Sequence, residues 1–105
     1  MNSVTDGNIA KDDDSVIDDQ LGNRLIAGAA RGVLEYVARS IVEDPDSVVV
    51  EINEETSPIV LKLHVAASDI GRVIGKRGRV AYAIRTLVRA AGAQEGLEVS
   101  VDIVD

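Results

Sequence analysis

The sequence contains no cysteine, tryptophan or phenylalanine, and its only aromatic residues are Tyr36 and Tyr82. The absence of cysteine excludes a disulfide framework and thiolate metal sites, and it fits a reducing compartment. Two aromatic rings also leave little surface on which nucleobases could stack. The apolar residues are nearly all Val, Ile, Leu and Ala, so the 105-residue chain should form one small aliphatic domain.

Targeting and membrane-spanning segments are also missing. The N-terminus has no basic segment followed by an apolar run, so it does not resemble a signal peptide. No apolar run approaches the roughly 20 residues that a bilayer-spanning helix requires. We therefore expect a soluble, cytoplasmic protein.

Charge is distributed unevenly along the chain. The formal net charge is −7, and residues 1–19 and 43–55 each contain six acidic residues. Residues 70–94 contain no acid and six of the eleven basic residues, which are Arg72, Lys76, Arg77, Arg79, Arg85 and Arg89. Because local charge decides which ligand docks, this basic segment predicts an anion site in an acidic protein.

The N-terminal part of the chain changes character near Leu21. Residues 1–20 are rich in Asp, Asn and Ser without apolar periodicity, which predicts a disordered acidic tail. From Leu21, apolar residues three and four apart predict an amphipathic helix. It should end near Glu43, because the residue before Pro45 avoids the helical region. Residues 21–105 are thus the predicted domain.

Three segments alternate between apolar and polar residues with a period of two. They predict half-buried strands over residues 48–53, 59–65 and 97–103, with a turn at 54–58 between the first two. Val, Ile and Leu occupy one face of each strand. The three strands should therefore form a sheet with one buried face.

Two helices should separate the second and third strands. Ser68 is a plausible N-cap for a short helix over residues 69–74, with Asp69 in its first turn to complement the helix dipole. Gly75 would end that helix. Apolar spacing then predicts a longer helix that stops at Gly92. The order of elements predicts an α+β fold, a three-stranded sheet backed by three helices.

The turn between these two helices carries the one motif with clear chemistry. Gly75 and Gly78 bracket Lys76 and Arg77, and glycines let a backbone turn sharply and approach a ligand closely. The helix that follows presents free N–H groups at the positive end of its dipole, which suits a phosphate. Aliphatic side chains precede the turn, namely Ile70, Val73 and Ile74.

Residues 70–79, Ile-Gly-Arg-Val-Ile-Gly-Lys-Arg-Gly-Arg, resemble the signature of a KH domain. The GXXG loop of that domain clamps the backbone of single-stranded nucleic acid. The element order is similar to the bacterial type II arrangement, and residues 21–105 resemble the small single-KH proteins of the KhpA family. The resemblance implies a non-catalytic bacterial protein that binds single-stranded RNA, as a post-transcriptional regulator or RNA chaperone.

The resemblance also implies an RNA-binding site. Its loop would be Gly75, Lys76, Arg77 and Gly78, flanked by phosphate contacts from Arg72 and Arg79. The groove for bases would consist of Ile70, Val73 and Ile74, with Val80 and a second-strand residue such as Leu63 or Val65. A homodimer, or a heterodimer with a larger KH-containing protein, is expected by the same resemblance.

Structural explanations remain open for several of these residues. The two loop glycines could merely shape a corner between helices. Arg85 and Arg89 fit a solvated surface as well as an extended RNA track. Ile70 and Val73 fit the core as well as a groove, because one helix serves both.

No pattern in the sequence indicates catalysis. A P-loop requires Lys and then Ser or Thr after its last glycine, whereas Gly78 is followed by Arg79 and Val80. His64 stands alone on the polar face of its strand, so neither a metal site nor a catalytic base is expected. We expect no enzyme, no metal and no cofactor.

Two other classes of binding function compete with RNA binding. Residues 69–91 form a predicted helix-turn-helix, but the second helix is too apolar to read base edges in a major groove. A dimerising interaction module that binds RNA only with a partner KH protein fits the sequence better. Tyr36 and Tyr82 are expected to pack against the domain with their hydroxyls exposed.

Overall fold

Three helices and three strands form the part of the chain that the computed structural model describes, residues 27–105. In chain order they are α1 (Gly28–Ile41), β1 (Val49–Asn53), β2 (Ile59–His64), α2 (Ile70–Ile74), α3 (Arg79–Gln94) and β3 (Val99–Ile103). Short 3₁₀ turns precede β1, α2 and α3. This order confirms the predicted α+β class, and it is the order of a type II KH domain. The predicted tail, residues 1–20, and the predicted start of the first helix, 21–26, lie outside the described residues.

The sheet has the order β1-β2-β3 and is mixed. β1 and β2 pair antiparallel, with Val50 opposite Leu63. β2 and β3 pair parallel, with Leu61 opposite Val101. A parallel pair needs a crossover connection. Here the crossover consists of α2, α3 and the turn between them, so the topology places the glycine-rich turn outside the sheet.

The core lies between one face of the sheet and the helices. Alternate strand residues point into it, so Val50 is buried while its neighbour Val49 is 52% exposed. The helices contribute residues spaced four apart, a single face of each helix. The buried residues of the core are Ala27 before α1, Ala30, Leu34 and Ala38 from α1, Val48 before β1, Val50 from β1, Leu61 and Leu63 from β2, Ile84 and Val88 from α3, and Val99 and Val101 from β3. The predicted binary pattern of the strands is confirmed. None of the helices within residues 27–105 combines the length and apolarity that a bilayer span requires.

The predicted end of the long helix at Gly92 is wrong, because α3 continues to Gln94. Gly92 is buried inside the helix, and a Cβ there would lie 2.7 Å from the Cγ2 atom of Val99. Glycine is therefore required for close packing of helix on strand. The chain reverses at Gly96, whose φ is 73°, and the N–H of Leu97 donates to the carbonyl of Gly92 at 2.9 Å.

Candidate nucleic-acid interface

The turn between α2 and α3 combines three residues with positive φ. Gly75 has φ 77° and Gly78 has φ 73°, and Arg77 between them has φ 57°. The N–H of Gly78 donates to the carbonyl of Gly75 at 3.1 Å, which closes the turn. A non-glycine residue with positive φ is uncommon and costs energy. The turn therefore holds Arg77 in a conformation that ordinary loops avoid.

The two glycines are required for different reasons. A Cβ on Gly75 would overlap the side chain of Val80 and would lie 2.9 Å from its backbone nitrogen. Val80 follows the turn in α3, so only glycine lets the end of α2 pack so closely against α3. At Gly78 the space for a Cβ is open, and the positive φ alone favours glycine.

The outer side of this turn is positively charged, and the N–H of Arg79 donates to the carbonyl of Lys76 inside the turn. The side chains of Lys76, Arg77 and Arg79 are all exposed. No side chain within the described residues caps the N-terminus of α3, and its first turn contains no acid. The positive end of the helix dipole therefore adds to the three cationic side chains, an arrangement that suits a phosphate.

Beside the turn, the predicted aliphatic residues divide into two groups. Ile70 and Ile74 of α2 are half-buried, as are Val65 and Val80, so each offers part of its side chain to a ligand. Val73 is fully buried, and so is Leu63. Val73 therefore exposes no side-chain surface to a ligand here, which favours the core alternative that the sequence left open, and its part in the site stays a prediction.

Arg72 was predicted as a flanking phosphate contact, but the structure gives its guanidinium two carboxylate partners. Its Nη2 atom lies 2.8 Å from Oε2 of Glu43, and its Nε atom lies 3.3 Å from Oδ1 of Asp69. A guanidinium held by two carboxylates has fewer donors left for a phosphate. In this structure Arg72 is an ion-pair partner, and its role as a flanking phosphate contact stays a prediction.

Asp69 also differs from its predicted role in the first turn of a helix. Residues Ala67–Asp69 form a 3₁₀ turn, and α2 begins only at Ile70. The Asp69 side chain is 1% exposed, and its carboxylate accepts hydrogen bonds from the N–H groups of Glu43 and Asp44. Sequence reasoning missed these contacts because the partners are 26 and 25 residues away.

The other basic residues of the segment lie along α3, beside β3, which is an edge strand of the sheet in residues 27–105. The Nε atom of Arg85 donates to the carbonyl of Val101 at 3.3 Å. Arg85 and Arg89, with Ser100 and Val101, line a small cleft of about 140 Å³ between helix and strand. One hydrogen-bond donor of Arg85 is therefore already used by β3.

The tyrosines and the histidine are found in different surroundings. Tyr36 is 75% exposed and Tyr82 is 70% exposed, so the prediction that both rings pack against the domain is wrong. The Nε2 atom of His64 lies 2.8 Å from Oε1 of Glu51 on the outer face of the sheet. None of these three residues belongs to the glycine-rich turn itself.

Comparison with known proteins shows the family to which the chain belongs. The family described as "KhpA/KhpB, KH domain" matches residues 31–103, which include the turn and all three strands. The chain belongs to the KhpA/KhpB KH-domain family. The RNA-binding protein KhpA of Clostridium acetobutylicum is 49% identical over 73 residues, which cover 69% of this chain and 96% of that protein. The RNA-binding protein KhpA of Borreliella burgdorferi is 38% identical over 73 residues, covering 70% and 89% of the two chains.

A solved structure supports the fold of this family member. An Era variant from Aquifex aeolicus superimposes with a TM-score of 0.52 at 23% identity. The match covers 75% of this chain and 30% of the Era chain. At that identity the likeness concerns the fold alone.

Proposed function

We propose that this KH domain binds single-stranded RNA through the turn Gly75–Gly78. The observation that carries the proposal is the convergence at this turn of an exposed basic surface, the uncapped start of α3 and a backbone opened by two glycines. The RNA-binding names of the KhpA relatives support RNA as the polyanion.

Each part of the turn has a separate role in the proposed binding of RNA. Lys76 and Arg77 neutralise phosphates from the exposed side of the turn, and Arg79 extends the charge into α3. The positive end of the α3 dipole attracts phosphate oxygens. The exposed parts of Ile70 and Ile74 contact bases, and because the chain has only two aromatic residues the sequence preference is modest.

The same turn gives the expected strength and salt dependence of binding. Neutralising one phosphate of a single strand contributes about −0.7 to the slope of log K against log salt. Three or four phosphate contacts therefore predict a slope of about −2 to −3. Binding by one such domain should be weak and should fall steeply with salt.

A pair of double variants tests the proposal. Lys76→Gln with Arg77→Gln removes two charges from the turn. Arg39→Gln with Lys62→Gln removes the same charge from α1 and from the outer face of β2, and both control side chains are exposed. Fluorescence anisotropy of a labelled 12-nucleotide single-stranded RNA, at several salt concentrations, measures both pairs against the wild type.

The turn variant should bind about tenfold or more weakly at low salt, and its slope should fall by about 1.4, since two phosphate contacts are lost. The control pair should keep the wild-type slope. Equal losses in both pairs would show that overall charge, and no particular site, governs binding. The same titration with single-stranded DNA tests the preference for RNA.

A dimerising interaction module is the second proposed function, and one observation favours it. Tyr36, Tyr82 and Leu87 are large apolar residues on the helices that remain more than half exposed. Burying such side chains in an interface is favourable, and pairing two weak RNA sites raises their apparent affinity. Sedimentation equilibrium with and without RNA tests self-association. A monomer with full RNA affinity would remove the need for any partner.

A further inference from the structure

The helix that leads into the glycine-rich turn is too short to hold itself in place. α2 contains five residues, Ile70–Ile74, little more than one turn. Isolated helices of that length are not stable in water, so tertiary contacts must fix the position of α2. The position of the turn depends on the same contacts, because Gly75 follows α2 directly and its N–H donates to the carbonyl of Gly71.

Two buried side chains supply those contacts. Within residues 66–78, only Asp69 and Val73 are buried, at 1% and 0% exposure. They are four residues apart and therefore lie on the same face of the chain. One is an apolar side chain, and the other is a carboxylate.

The carboxylate of Asp69 ties this segment to the chain that leaves α1. Its Oδ1 atom accepts from the N–H of Glu43 at 3.0 Å, and its Oδ2 atom accepts from the N–H of Asp44 at 3.1 Å. The Nε atom of Arg72 lies 3.3 Å from Oδ1, and the same guanidinium reaches the Glu43 side chain. Hydrogen bonds to a charged acceptor are stronger than those between neutral groups. The buried carboxylate therefore joins two segments that are distant in sequence.

We propose that Asp69 is a positioning residue for RNA binding, which holds α2 against the end of α1 and so presents Lys76 and Arg77 in a fixed geometry. The consequence for RNA affinity rests on the proposed function above. The consequence for the position of the turn does not depend on it. A preordered loop loses less conformational entropy when it binds, and this increases affinity without adding any contact.

Asp69→Asn is the sharpest substitution for this test. Asparagine has nearly the same shape as aspartate, but its NH₂ group cannot accept a hydrogen bond. One of the two backbone N–H groups then loses its acceptor, and the ionic attraction to Arg72 disappears. Val99→Ala is the matched control, since it removes buried apolar atoms beside Gly92. That contact lies about 20 Å along α3 from the turn, at 1.5 Å per residue.

The expected result separates positioning from stability. Both variants should lower the melting temperature, and only Asp69→Asn should weaken binding of the 12-nucleotide RNA, by about five- to tenfold. Its salt slope should equal that of the wild type, because the bound state keeps the same phosphate contacts. Unchanged affinity in Asp69→Asn, or an equal loss in Val99→Ala, would overturn the proposal.

A measurement without RNA keeps this result distinct from a failure of the proposed function. In the free protein, NMR amide exchange at residues 70–78 should accelerate in Asp69→Asn and remain unchanged in Val99→Ala. If the amides of residues 70–78 in Asp69→Asn exchanged at wild-type rates, the positioning role would be overturned, whether or not RNA binds. If Asp69→Asn does not fold, Arg72→Gln, which removes one partner of the carboxylate, replaces it in the amide-exchange measurement, and wild-type exchange rates at residues 70–78 would overturn the proposal.

Discussion

The two ends of α3 are held in different ways. At its C-terminal end, Val88 and Gly92 pack against the sheet, and Gly92 brings the helix backbone close to Val99. At its N-terminal end the turn exposes Lys76 and Arg77 and leaves the first turn of the helix without a side-chain cap. Apolar packing therefore stabilises one end, whereas the other exposes cationic side chains to a ligand.

Because of this contrast, we expect substitutions in the core to change stability and substitutions in the turn to change RNA binding. The sheet and the buried face of α3 form one continuous apolar core. The turn lies outside that core, and the short segment before it has two buried side chains, one apolar and one charged. Stability and ligand affinity should therefore respond to different residues, and three predictions test that separation in order of decreasing effect.

The largest effect is expected from Leu61→Ala in the central strand. Leu61 is fully buried, and truncating a buried leucine costs about 2–5 kcal/mol in the free energy of unfolding. Urea denaturation measures this loss. RNA affinity of the folded protein should stay within about twofold of the wild type. A large loss of affinity in a folded Leu61→Ala protein would break the separation.

The loop glycines should differ from each other when each is replaced by alanine. Gly75→Ala should cost about 1–3 kcal/mol and weaken RNA binding, because the new Cβ collides with Val80 and displaces the turn. In Gly78→Ala the new Cβ has no close neighbour, and only the positive φ is unfavourable. The free energy of unfolding should therefore fall by about 1 kcal/mol. Thermal unfolding and RNA anisotropy compare the two variants. Equal costs at both positions would contradict the close contact of Gly75 with Val80.

The smallest effect is expected from single charges. Arg79→Gln should weaken RNA binding about two- to fivefold and reduce the salt slope by about 0.7, the contribution of one phosphate contact. Arg39→Gln, on the last turn of α1, is the control and should leave the slope unchanged. Stability should change by less than about 0.5 kcal/mol in both variants. A wild-type salt slope in Arg79→Gln would show that Arg79 does not contact an RNA phosphate.

Sequence reasoning predicted the features that depend on local pattern. Alternation in 59–65 identified β2 and its buried face, since strand residues two apart share a face. The paired glycines marked the turn, because positive φ is a local requirement. The order of the elements and the α+β class followed from the same patterns.

The features that sequence reasoning missed depend on contacts between distant segments. Asp69 carries a good signal for a helix start, but its actual partners follow α1 in the chain. Gly92 resembles a helix stop, whereas it is required by the packing of Val99. Arg72 resembles any other cation of the basic segment until Glu43 is placed beside it. No local pattern encodes such pairs.

The central claim is that RNA binds at the glycine-rich turn, and NMR mapping tests it most directly. Amide resonances of the ¹⁵N-labelled wild-type protein are followed while unlabelled 12-nucleotide single-stranded RNA is added. We predict that the largest shifts occur at residues 70–81, and that Glu51 and Lys62 on the outer face of the sheet shift little. If the largest shifts occurred on that outer face and the resonances of residues 70–81 did not move, the claim that RNA binds at the turn would be contradicted.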